Sequence, residues 1–127
     1  MFANTKAFSG FAVDDVDKAR AFYGETLGIE TTAEEMGLLT LHLAGDRPTM
    51  IYPKPDFTPA TYTILNFPVD DVDAAVAELA SRGVEFLRYD GFEQDERGVS
   101  RMEGGPPIAW FTDPAGNILA VMEVDEA

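Results

Sequence analysis

The segment Val13-Asp14-Asp15-Val16-Asp17 recurs unchanged as Val69-Asp70-Asp71-Val72-Asp73, and this repeat decides the fold. Internal duplication organises everything around it. Each copy follows a short apolar run, Phe8-Ser9-Gly10-Phe11-Ala12 in the first and Ile64-Leu65-Asn66-Phe67-Pro68 in the second. Each copy also opens a helical pattern that closes on glycine, Gly28 and Gly83. An aspartate just past a strand caps the free N–H groups of a helix, and more acid there suits the positive end of the helix dipole. Val16, Ala19, Phe22, Tyr23 and Leu27 fall on one helical face, as do Val72, Ala75, Val76 and Leu79. Gly28 and Gly83 stand where a left-handed residue ends a helix.

Strand-like segments follow each helix: 29–33, 37–44 and 48–52 in the first copy, and 84–89, 107–112 and 117–124 in the second. Asp46-Arg47-Pro48 and Asp113-Pro114-Ala115-Gly116 read as turns. The predicted order is βαβββ twice within one α+β domain. Module 1 spans about 5–53, a proline-stiffened linker spans 54–60, and module 2 spans about 61–125. The stretch 90–106, rich in glycine and charge, is too long for an ordinary connection and is read as a lid over a pocket, with disorder as the alternative.

Composition removes several functions. The 127 residues carry 23 acids against 9 bases, so the formal charge of −14 opposes binding to nucleic acid or an anionic membrane. With no cysteine there is no disulfide, thiolate metal site or thiol nucleophile. The N-terminal residues lack the apolar core of a signal peptide and no apolar run is long enough to span a bilayer, so the expected location is the cytoplasm. No catalytic triad, phosphate-binding loop or dinucleotide fingerprint occurs.

Val13-Asp14-Asp15 with Ala19, Phe22, Tyr23 and Leu27-Gly28 resembles the opening signature of the vicinal-oxygen-chelate family, which includes glyoxalases, bleomycin-resistance proteins and extradiol dioxygenases. Phe111-Thr112-Asp113-Pro114-Ala115-Gly116-Asn117 resembles its closing signature, and the resemblance covers essentially the whole chain. It implies curved mixed sheets around a cavity, helices on the outer face, and a homodimer.

The family's metalloenzymes place a divalent metal in that cavity, held by His and carboxylate side chains. The matching positions here are Phe8, Ile64 and Ala120, while the fourth, on the strand 48–52, offers neither His nor carboxylate. No metal, cofactor or catalytic residue is therefore expected. If these positions point inward, alternation places Phe8, Gly10, Ala12, Ile64, Asn66, Pro68, Ile118, Ala120 and Met122 on the cavity face, with Thr40 and His42 joining them. His42, the only histidine, is either a hydrogen-bonding or acid/base group for a ligand or a histidine satisfied by the backbone. Asn66 is either a ligand contact or a structural amide. Tyr52, Tyr62, Tyr89 and Trp110 suit stacking on a flat ligand, with Trp110 and Tyr52 foremost. The acids within 93–97 read as a solvated loop.

The expected function is metal-free binding of a small, aromatic or cationic molecule, as in bleomycin-resistance proteins. It takes a planar ligand between the modules, touching Trp110, Tyr52 and Asn66. Two alternatives stand beside it: a glyoxalase-like lyase or dioxygenase with an atypical site, and a regulatory or structural protein with a vestigial cavity.

Overall fold

The computed structural model describes residues 1–125. The chain divides into two compact units, Met1–Thr58 and the residues from Pro59 onward.

In the first unit, β1 (Ser9–Val13) leads into α1 (Val16–Arg20), followed by β2 (Glu30–Ala33), β3 (Leu39–Leu43) and β4 (Arg47–Pro53). The four strands form one sheet in the order β1-β4-β3-β2. β1 runs parallel to β4 and the other pairs are antiparallel. Asp15 caps α1 by accepting the Lys18 N–H at 3.1 Å. The expected single helix ending at Gly28 is instead α1 plus a wider turn over Ala21–Thr26, where Leu27 N–H reaches back to the Phe22 carbonyl. A 3.6-residue pattern does not distinguish this five-residue reach from ordinary helix in the last turn. Gly28 is left-handed as expected, with φ 74°. The strand expected over 37–44 starts later, because Met36 and Gly37 are both left-handed and close a tight turn. The turn before β4 also falls earlier than Asp46-Arg47-Pro48, at Gly45 and Asp46, so Arg47 and Pro48 belong to the strand.

In the second unit, β5 (Thr63–Val69) leads into α2 (Val72–Ser81), then β6 (Ile108–Thr112) and β7 (Ile118–Glu123). The sheet order is β5-β7-β6, with β5 parallel to β7 and β6 antiparallel to it. Asp71 caps α2 through the Ala74 N–H at 3.1 Å, the same device as Asp15. The strand expected over 84–89 does not form. It shrinks to one bridge between Phe86 and Phe111 and one bond from Leu87 N–H to the Trp110 carbonyl. The edge of β6 is shared instead with Ser100, which exchanges both backbone bonds with Ile108.

Each core lies on the helix side of its sheet. Val13, Leu39, Leu41 and Ile51 are buried in the first unit together with Ala19 and Tyr23. Ala109, Phe111, Leu119 and Val121 are buried in the second with Val72 and Val76. Burying each of the larger aliphatic side chains contributes about 1.5–3 kcal/mol. The end of β7 is tied in on this side as well, since Glu123 accepts the Val72 N–H at 3.0 Å at the start of α2. No described helix is long and apolar enough to cross a membrane.

Candidate functional site

The opposite face of the second sheet carries three of the seven residues expected at a binding site. Asn66 pairs with Ala120 across β5 and β7, and Trp110 pairs with Ala120 across β6 and β7. Cross-strand partners project on the same side, so Asn66, Ala120 and Trp110 form one row on the face turned away from α2. Ala120 is fully buried, Trp110 is half-buried and Asn66 is exposed. The row thus offers an amide at one end, an indole at the other and an apolar floor between them. Ile64 is not in a row: it falls at the irregularity between Thr63 and Leu65, where β5 holds one residue more than β7.

Trp110 does not stand alone. Tyr89 meets its ring edge-on at 5.3 Å and Phe92 packs at 5.5 Å. Burial pushes the Tyr89 hydroxyl above its ordinary value. The chain that brings Phe92 there is fastened by Gln94, whose amide donates to the carbonyls of Leu87 and Gly98 and accepts the Tyr89 N–H at 2.8 Å. Asp95 then turns the chain by accepting the N–H groups of Arg97 and Val99. Burial raises the Asp95 carboxyl, but those N–H groups, with that of Gly98 and the Arg101 guanidinium, outweigh it and hold the group below its ordinary value. The stretch 90–106 is therefore packed on its own sheet at Phe92, Gln94, Val99 and Ser100 rather than structureless. Gln94 and Phe92 carry no sequence signal that singles them out.

In the first unit, Tyr52 lies one residue before the end of β4 opposite Ala12, on the face away from α1, and is 42% exposed. Phe8 stands just before β1 and is 62% exposed. On β3, Leu39 and Leu41 face the core while Thr40 and His42 take the other side. His42 is satisfied by a side chain rather than a backbone carbonyl, since its Nε2 lies 2.7 Å from the Thr32 hydroxyl on β2. Beside it Thr40 donates to the Glu34 carboxylate at 2.9 Å. Thr32 and Glu34 were not expected at a site; only the β2–β3 register brings them there. Two clefts of about 400 and 450 Å³ also open on this unit, both bordered by Asp17 and Arg20. None of the residues expected at a site lines either cleft.

The residues at the family's metal positions do not fit a metal. Phe8, Ile64 and Ala120 have no donor atom, and on the same face of β4 as Tyr52 stand only Met50 and Pro48. Among the described residues, no three His, Asp or Glu side chains converge in a way that could hold an ion.

The fold is shared with proteins of known structure. An antibiotic-binding protein, TnmS3 from Streptomyces sp. CB03234, is 29% identical, with 92% of this chain and 94% of that chain covered and a TM-score of 0.66. A glyoxalase/bleomycin resistance protein/dioxygenase superfamily member from Sphaerobacter thermophilus is 25% identical, covering 93% and 97%, with a TM-score of 0.70. The fosfomycin resistance protein FosX from Listeria monocytogenes is 18% identical, covering 93% and 91%, with a TM-score of 0.71, a likeness of fold alone. No curated protein matches the chain significantly. The family model for the glyoxalase/bleomycin resistance protein/dioxygenase superfamily matches residues 7–121, and the chain belongs to that superfamily.

Proposed function

We propose that this protein binds a planar small molecule, aromatic or cationic, without a metal, and acts by sequestering it. The observation that carries this reading is the row Asn66, Ala120, Trp110. Ala120 stands where a metalloenzyme of the superfamily would need a carboxylate, and it makes a dry floor between a stacking ring and an orienting amide. Such a mix of apolar wall and few polar points is the usual make-up of a ligand site. The 29% identity to an antibiotic-binding protein supports the same class of activity. Ile64, on β5 beside the row, is proposed as a further contact. The net charge of −14 favours a cationic ligand. The proposed setting is the cytoplasm, and the proposed assembly is a homodimer in which a second copy covers strands such as β1, β2 and β5 that pair on one side only.

The direct test is isothermal titration of proflavine, a planar tricyclic cation, into wild type and Trp110→Ala. Losing a stacking aromatic costs about 1–3 kcal/mol, so the variant should bind at least about tenfold more weakly. Equal affinity in the two proteins, or no heat in either, counts against the reading.

One observation favours the enzymatic alternative. A hydroxyl 2.7 Å from the only imidazole is the spacing of a nucleophile and its base. In that reading His42 would draw the proton from Thr32, and His42→Ala would abolish turnover while leaving dye binding by the second unit intact.

A further inference from the structure

The second sheet extends beyond β6 through Ser100, and that residue has an unusual standing. Its backbone N–H and carbonyl are both bonded to Ile108, so the two residues are direct partners. Ile108 pairs in turn with Met122, and Met122 with Pro68. Ser100 therefore belongs to a second row, on the same face as Asn66, Ala120 and Trp110 and immediately beside it. Ser100 is fully buried, and its hydroxyl has no hydrogen-bond partner among the described residues.

The neighbours explain why it stays unpaired. Ile108, Met122 and Pro68 offer no nitrogen or oxygen in their side chains. Gln94, its bridge partner on the other side, has both amide hydrogens committed to Leu87 and Gly98. A buried hydroxyl left without a partner is costly, and a serine in place of alanine needs something to bond.

We infer that the Ser100 hydroxyl is a ligand contact, accepting a hydrogen bond from a donor group at one end of the planar molecule that lies along the Trp110 row. The inference rests on the binding function proposed above. It narrows the ligand to a flat molecule with an N–H or O–H donor at its rim and an apolar body. Ser100 and Asn66 lie three strand spacings and one row apart, about 16 Å. The ligand is therefore elongated, with a polar group toward each end.

Two dyes test this. Proflavine carries a free amino group at each end, and acridine orange is the same planar cation with those amines capped by methyl groups. Wild type should bind proflavine about tenfold more tightly than acridine orange, the scale of one hydrogen bond to an otherwise unpaired buried group. Ser100→Ala should lose that preference while the melting temperature of the free protein stays level or rises, since an unsatisfied hydroxyl has been removed. An unchanged preference in the variant overturns the assignment and leaves an internal water as the partner of the hydroxyl. A fall of several degrees in the free protein also overturns it, by revealing a structural partner. Both of these leave dye binding itself intact, whereas failure of wild type to bind either dye removes the proposed function as well.

Discussion

Asn117 donates from its amide nitrogen to the Asp113 carboxylate at 3.2 Å, and with its amide oxygen it accepts the Ala60 N–H, also at 3.2 Å. Asp113 in turn accepts the N–H groups of Ala115 and Asn117. Both side chains are almost fully buried. Gly116 completes the turn at φ 96°, and a side chain there would press on Pro59 at 3.3 Å. The closing signature of the sequence is thus a clasp that fastens the chain entering β5 to the turn before β7. It makes the second unit close on itself, and it touches none of the residues in the ligand row.

Asn117→Ala should therefore cost stability and not binding. Removing the amide leaves a buried carboxylate short of a donor and a backbone N–H without its acceptor, about 2–3 kcal/mol together. Chemical denaturation should show that loss, while proflavine affinity measured well below the transition should match wild type.

The two caps are equivalent devices, and their removal should be equivalent in kind. Asp15→Ala and Asp71→Ala each leave one helix N–H without its acceptor, for about 1 kcal/mol apiece. The double variant should lose the sum, because the two caps share no partner. A thermal melt of the four proteins measures it, and a double variant no less stable than either single one would show that the caps are not independent.

Asp95 should make the loop acid-sensitive. A carboxyl held below its ordinary value stabilises the fold only while ionised. Its contribution is complete above the ordinary value of 3.8 and disappears as pH falls through the lower value of the folded protein. Asp95→Ala should lower the melting temperature at pH 7 by a few degrees, on the order of 1 kcal/mol. Amide exchange at Arg97 and Val99 should accelerate in the variant, and its melting temperature should fall less steeply than that of wild type between pH 5 and pH 3.

What the sequence made legible is local or periodic. Asp15 and Asp71 declared themselves because a cap acts within three residues, and the faces of β3 and β7 followed from alternation of two. That is why His42 and Thr40 stand opposite Leu39 and Leu41, and Ala120 opposite Leu119 and Val121. The residues 84–89 carry the same strand pattern yet pair only at Phe86 and Leu87, because Ser100 takes the next place along β6. That competition depends on where the chain returns after a long loop, and nothing in the local composition states it. The partners of the site were hidden for the same reason. Thr32 reaches His42 through the register of β2 and β3, and Phe92 reaches Trp110 through the bonds of Gln94. The bulge at Ile64 displaced one of the residues whose places, like those of Phe8 and Ala120, rested on counting from a motif.

The proposed row of Asn66, Ala120 and Trp110 would take a planar ligand and no ion. Native mass spectrometry of the purified protein, incubated with proflavine together with zinc, nickel and manganese salts, tests this in one spectrum. The expected spectrum shows one dye per chain, no stoichiometric metal, and a dimer as the main species. One metal per chain with no dye bound would contradict it.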